Sequence, residues 1–302
     1  MALAQTKVKE NSNKPYYQDQ ELGLINYRYI QVPGGTLYFR GPIPPSLDKN
    51  KFFVCIGAAQ TFGRFCEKPF CEIISDRLNI PCLNLGYAGA GPSFYLKNDY
   101  LFDLINKARF AIVQVMSGRS ESNSRYVSLT GRNMLTRVAN KTTVMDTEAY
   151  KEILRLNSFD LIREIVQQTK YSWLKNTTSL LERMTVPKCL FWFSVRSPDY
   201  QMNFQNVKSL LGEFPHLIDT SLINSVKPLA DNYVECVSNR GLPQKLYAKN
   251  TQNTVEITYA LGLGEKAKKS EYNRYYPSPE MHVDAVNALS NICQKMSLTN
   301  TV

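Results

Sequence analysis

The feature that most constrains this chain is a series of short apolar runs, each followed by a longer segment whose apolar residues recur at helical spacing. Phe52 to Ile56 ends in Gly57, Ile80 to Leu85 ends in Gly86, Phe110 to Met116 is almost wholly apolar, and Lys188 to Phe193 makes a fourth run. Strand-length runs without polar alternation belong to strands covered on both faces. Between them, Phe70, Ile73, Ile74 and Leu78 follow Pro69, and Phe94, Leu101, Leu104, Ile105 and Ala108 follow Pro92, with proline where a first helical turn accepts it. Phe159 to Met184 reads as a long helix, whole or broken, Leu217-Ile218-Asp219 as the start of a fifth strand, and Pro279 to Met296 as the last helix. The alternation predicts an α/β chain: a three-layer α/β/α domain with a mainly parallel sheet.

Ahead of this pattern, residues 1–50 carry two alternating, aromatic-rich arms, Asn26 to Val32 and Thr36 to Arg40, around Pro33-Gly34-Gly35. That is a hairpin signal. Fifty residues hardly stabilise a core alone, so the hairpin is expected as an N-terminal extension packed on a domain spanning 51–302. Residues 118–150 are polar and long enough for an insertion or lid. The chain of 302 residues is 43% hydrophobic, enough for a sizeable core. No apolar run is long enough to span a membrane, and residues 1–14 lack a signal-peptide core, so a cytoplasmic location is expected. The seven cysteines form no C-x-x-C pair and read as reduced thiols. With only His216 and His282 besides, no metal site is expected, and the sequence identifies no particular cofactor, leaving that question open.

Ligands of open parallel sheets bind beyond the C-terminal strand ends. The loops there are Gly57 to Arg64, Gly86 to Pro92 and Ser117 to Ser124, all rich in small residues that admit a ligand close to the backbone. Arg64 and Arg119 lie in them. Their guanidinium forks, with a net charge of +10 from 36 basic and 26 acidic residues, point to an anionic small molecule or a glycan. No nucleic-acid-binding motif is present, and the short basic run Lys266 to Lys269 reads as a solvated loop. His282 falls on the apolar stripe Ala285, Val286, Leu289, Ile292 and Cys293, so it faces the sheet, near a helix start that favours neutral imidazole.

These blocks resemble the SGNH (GDSL-like) hydrolase superfamily. Gly57-Ala58-Ala59 with Gly63 stands where that family has its Gly-Asp-Ser block, Asn84-Leu85-Gly86 with Gly89 or Gly91 where it has its oxyanion glycine, Ser117 to Asn123 loosely where it has Gly-x-Asn-Asp, and Asn273 to Pro277 where it has its Asp-x-x-His-Pro block. The resemblance implies the SGNH-like fold with its flavodoxin-like sheet, and not its chemistry. The nucleophilic serine falls on Ala59, the histidine on Tyr276 and the aspartate on Asn273. Gln60 to Arg64 with Pro69-Phe70, Asn84 to Gly86 with Gly91-Pro92, and Gln114 to Met116 with Ser122 to Ser124 are similar to a bacterial family of unknown function, DUF6473.

The expected function is therefore that of an SGNH-like protein lacking the triad, acting as a group-transfer or carbohydrate-tailoring enzyme. Thr61 or Ser117 would supply the hydroxyl, His282 the base, Arg64 and Arg119 an anion clamp, and the Gly86 and Gly91 amides the oxyanion donors. Gly57, Gln60, Asn84, Gln114, Asn123 and Tyr276 complete the expected ligand site. Two alternatives stand beside it: a non-catalytic binding protein that keeps the pocket, and a sulfotransferase-like nucleotide-linked transferase, for which the Gly57 to Gly63 loop lacks a phosphate-cradling lysine.

Overall fold

In the computed structural model, residues 21, 23–259 and 268–298 are described. The polar stretch 1–14 and the Lys266-Ala267 end of the basic run lie outside them. The chain enters through the expected hairpin, in which β1 (Ile30–Gln31) pairs antiparallel with β2 (Tyr38–Phe39). Val32 and Phe39 sink into the main core, so the hairpin is anchored by burial.

The central units follow: β3 (Phe53–Ile56), α1 (Ala59–Phe62), α2 (Phe70–Leu78), β4 (Cys82–Asn84), α3 (Pro92–Leu96), α4 (Tyr100–Ile105) and β5 (Ala111–Gln114). Pro92 opens two short helices where the sequence suggested one. Residues 118–150 then fold into an antiparallel sheet of β6 (Tyr126–Val127), β7 (Met134–Arg137) and β8 (Thr143–Met145), leading into α5 (Asp146–Leu154). The long helix α6 (Phe159–Arg183) is unbroken; Ser158 caps it by accepting from the Leu161 amide. After it come β9 (Lys188–Ser194), α7 (Val207–Leu211), α8 (Thr220–Val226) and β10 (Asn232–Val237). Two small antiparallel pairs close the chain, β11 (Gln244–Lys245) with β14 (Tyr272–Asn273) and β12 (Ile257–Tyr259) with β13 (Lys268–Ser270), before α9 (Pro279–Leu298). Lys268 and Lys269 thus lie in a strand, not in the expected loop.

The five-stranded sheet runs β10-β9-β5-β3-β4, all parallel. Numbered along the chain this is the 2-1-3-4-5 order of flavodoxin-like sheets, as the SGNH resemblance implied. Alternation along the strands sorts the two faces. Val54, Ile56, Val113, Leu190 and Trp192 face the layer holding α3, α4, α6 and α8, while Phe53, Cys55, Ile112, Phe191 and Phe193 face α2 and α9.

One element departs from the sequence reading. Leu217 to Asp219 does not begin a strand: Leu217 has a left-handed backbone (φ 67°), and Asp219 caps α8 by accepting the Leu222 amide at 3.1 Å. The fifth strand is β10, whose Glu235 and Val237 are exposed on the sheet edge. Its mixed polar and apolar residues carry no both-face-buried signal.

Candidate functional site

The loops after β3, β4 and β5 meet at the crevice where the strand order reverses, between β3 and β5. They line a cleft of about 40 Å³, room for roughly three waters. The first loop contributes Ala58, Ala59 and Gln60, the second Gly89 and Ala90, the third Ser117, Arg119 and Ser120. Phe214, Tyr275 and Tyr276 from later segments form aromatic walls. Two glycines let the second loop pass. Gly89 has φ 72°, and a side chain on Gly86 would strike the backbone of Thr61 and Phe62 in α1.

Of the residues singled out from the sequence, Ala59, Gln60, Gly89, Ser117, Arg119 and Tyr276 line this cleft, and Gly57, Thr61, Arg64, Asn84, Gly86, Gly91, Gln114, Asn123 and His282 do not. Thr61 cannot be the reacting hydroxyl: it is wholly buried, and its Oγ1 donates to Gln114 Oε1 at 2.7 Å. Gln114 also accepts the Ala58 amide at 3.0 Å, so it braces the first loop from beneath. The Gly86 amide donates to Asn84 Oδ1 and the Gly91 amide to the Gly131 carbonyl, each at 2.9 Å, so neither is available as an oxyanion donor. Asn84 Nδ2 donates to the Thr61 carbonyl, and the Gly57 amide donates to the Tyr95 hydroxyl. Asn123 accepts the Arg125 and Tyr126 amides, both at 3.0 Å, and organises a turn away from the cleft.

Neither arginine is an uncommitted anion clamp. Arg64 pairs with Glu21, donates to the Tyr276 hydroxyl at 2.7 Å, and is stacked between the Phe65 and Tyr276 rings. Arg119 binds the fully buried Asp146 through Nε at 2.8 Å. Burial opposes the Arg119 charge, but Asp146 together with the Tyr275 and Tyr276 hydroxyls holds the guanidinium above its usual range. Each guanidinium is thus matched by a carboxylate, and the two pairs add no net charge to the cleft.

Arg119 also donates from Nη1 to His216 Nε2 at 3.1 Å. A guanidinium only donates, so Nε2 is the bare nitrogen and the ring proton sits on Nδ1, which is buried without a partner. Burial, then the Arg119 and Arg196 cations, holds this imidazole well below its usual range. Its Nε2 also lies 3.4 Å from the Tyr275 hydroxyl.

His282 does face the sheet, but not the cleft. It is fully buried between Phe70 and Phe193, with ring centroids at 5.9 and 5.4 Å, and its Nδ1 accepts the Phe70 amide at 3.2 Å. That lone pair is occupied, and burial, helped by the Arg40 charge, pushes the imidazole down to about 3. The expected base is therefore a core residue.

Asp146, Tyr275 and Ser120 belong to the neighbourhood and were not foreseen. Tyr275 lies within the last block and Ser120 within the Ser117 to Ser124 loop, which could have flagged both; Asp146 lies in the insertion, where no local pattern marks it. Among the described residues, the one grouping with metal-ligating potential is elsewhere: the sulfurs of Cys55, Cys71 and Cys82 lie within 4.8 Å of one another, and all seven cysteines are free. No helix of the described residues is long and apolar enough to cross a membrane.

The chain is similar in shape to several solved structures at low identity. A lipase from a goat rumen metagenome shares 10% identity with a TM-score of 0.41, covering 79% of this chain and 95% of that one. An acetylxylan esterase from Geobacillus stearothermophilus shares 11% at 0.40, covering 82% and 95%. A carbohydrate esterase family 2 enzyme from Corynascus thermopiles shares 13% at 0.36, covering 86% and 72%. No curated protein matches the sequence. Residues 16–296, nearly the whole chain, match the family model described as a domain of unknown function, DUF6473, and the chain belongs to that family.

Proposed function

We propose that the strand-end cleft is a recognition site and that this protein binds a small, neutral, hydroxyl-bearing group of sugar type without transforming it. The observation that carries this reading is the state of the two histidines. The lone pair a general base needs is occupied in both, by the Phe70 amide at His282 and by Arg119 at His216. Ala59, the first residue of α1, stands where the family resemblance would put a nucleophile, so neither half of a serine mechanism is supported. Group transfer would likewise need a base in the cleft.

The polarity of the site supports a neutral ligand over an anion. Gln60 lines the cleft, and its Oε1 is buried without a hydrogen-bond partner. An acceptor left open in this way calls for an O–H or N–H donor, which a neutral hydroxyl brings and a fully ionised oxyanion group does not. Phe214, Tyr275 and Tyr276 line the cleft together with Gln60, Ser117 and Ser120, a mixture of aromatic and polar side chains that suits a sugar.

Calorimetric titration with neutral oligosaccharides and their sulfated counterparts tests the reading. Neutral members are expected to bind, and Gln60→Leu to weaken them by up to about tenfold, the worth of one hydrogen bond. Binding of charged members alone, or turnover of the ligand, would overturn it.

A further inference from the structure

On the opposite face of the sheet edge from the main core lies a second cleft, of about 130 Å³, lined by Arg40, Pro42, Pro69, Cys71, Cys82 and Asn84 among others. It is roofed by the N-terminal extension, whose Arg40 bridges to Asn84 on β4. At its floor α2 lays Cys71 over the junction of β3 and β4. Cys55 Sγ and Cys82 Sγ are 3.7 Å apart, and all three sulfurs lie within 4.8 Å of one another. A tetrahedral zinc site with Zn–S bonds of about 2.3 Å sets its sulfurs about 3.8 Å apart, so the trio needs to contract by no more than about 1 Å. Asn84 Nδ2 donates to Cys71 Sγ at 3.0 Å, the kind of outer contact that orients a thiolate ligand.

A second, independent observation concerns charge. The Arg40 guanidinium is buried, donates to the carbonyl oxygens of Gly63 at 2.9 Å, Glu67 at 2.6 Å and Phe62 at 3.4 Å, and lies over the Tyr27 and Phe62 rings, while its Nε has no partner. No carboxylate among the described residues pairs with it. A buried cation is expensive unless a counter-charge lies near it. Three thiolates around a divalent cation carry a net charge of −1, which would balance it.

We propose that Cys55, Cys71 and Cys82 form a three-thiolate site for a divalent, thiophilic cation of the zinc class, its fourth position open to the cleft. The inference is independent of the ligand read for the strand-end cleft. As each S–metal bond forms, the thiol proton leaves to solvent, so the site tightens as pH rises. Sequence spacing hides this site, because its ligands come from two adjacent strands and the helix between them.

The test uses the full chain, reduced with a phosphine, stripped with chelator and desalted. Titration with Co2+ is expected to give thiolate-to-cobalt charge-transfer and tetrahedral visible bands that saturate at one equivalent and are displaced by Zn2+. Cys82→Ala is expected to weaken binding at least 100-fold, and Cys236→Ala to leave it unchanged. In the unsubstituted protein, where folding is not in question, Zn2+ is expected to protect Cys82 from iodoacetamide without altering the labelling of Cys236. Absence of the bands at one equivalent, parent-like affinity in Cys82→Ala, or unaltered labelling of Cys82 would each overturn the proposal.

Discussion

The amide of Phe70 donates to Nδ1 of His282 at 3.2 Å, fastening the first turn of α2 to the first turn of α9 across 212 residues of sequence. The bond fixes the tautomer: with Nδ1 accepting, the ring proton is on Nε2, which is buried and without a partner. A histidine held this way is a tie between two helices on one face of the sheet, and it resists protonation.

Acid sensitivity follows from that resistance. His282 is lowered to about 3 in the folded protein against 6.5 as an ordinary imidazole, so the unfolded chain binds the extra proton between those values and stability falls as pH drops from 6.5 toward 3. Between pH 7 and pH 4.5 this one group should remove about 2–3 kcal/mol. His282→Leu is expected to lose about 1–3 kcal/mol at pH 7, because the Phe70 amide is left without an acceptor, yet to lose less than the parent on going to pH 4.5. Urea unfolding at the two pH values checks both; parallel losses in parent and variant would contradict the assignment.

Glu121 should show the opposite dependence. Burial lifts its carboxyl to about 7, against hydrogen bonds from the Asn176 side chain and from the Ser93 amide and hydroxyl. A carboxyl raised on folding contributes fully below about 4.5, and that stability is lost as pH rises through 7. Glu121→Gln is therefore expected to gain about 3 kcal/mol over the parent at pH 8 and less than about 1 kcal/mol at pH 5. A gain of equal size at both would show that Glu121 does not titrate as described.

The Arg119–Asp146 pair closes the floor of the cleft, with Asp146 wholly buried and also accepting from Ser120 Oγ at 3.2 Å. Removing one partner strands the other, so Asp146→Asn is expected to destabilise by about 3–5 kcal/mol. The double variant Arg119→Met with Asp146→Leu should recover a large part of this. A double-mutant cycle measures the coupling, and a near-zero value would mean that the two side chains do not depend on each other.

Restoring a serine should not restore hydrolysis. Ala59→Ser puts a hydroxyl at the head of α1, but no imidazole with a free lone pair stands beside it. Hydrolysis of p-nitrophenyl acetate is expected to stay at background in both proteins. A rate in Ala59→Ser that a serine-directed phosphonate abolishes would be evidence of a base in the cleft after all.

The parts legible in the sequence are those whose signal is local. β3, β5 and β9 are buried on both faces and read as apolar runs, and the small-residue loops that end β3, β4 and β5 do converge. β10 escapes because an edge strand need not be apolar. Side-chain roles escape for another reason. Arg64 finds Glu21 in the N-terminal extension and Arg119 finds Asp146 in the insertion, and spacing carries no record of either partner. His282 was correctly turned toward the sheet by helical periodicity, which fixes the face of a helix but not how far along the strands it docks. That remaining coordinate decides between cleft and core.

The bridge from Arg40 to Asn84 has a bearing on how the protein keeps to itself. β4 is a three-residue edge strand, and an uncovered edge offers backbone donors and acceptors to any other chain. The extension lies along that edge and occupies it at Asn84. Shortening the chain past residue 40 would bare the strand and the cysteine floor together, so the loss would be felt as self-association and mixed-disulfide crosslinking on top of the damage to the core that Val32 and Phe39 help to fill.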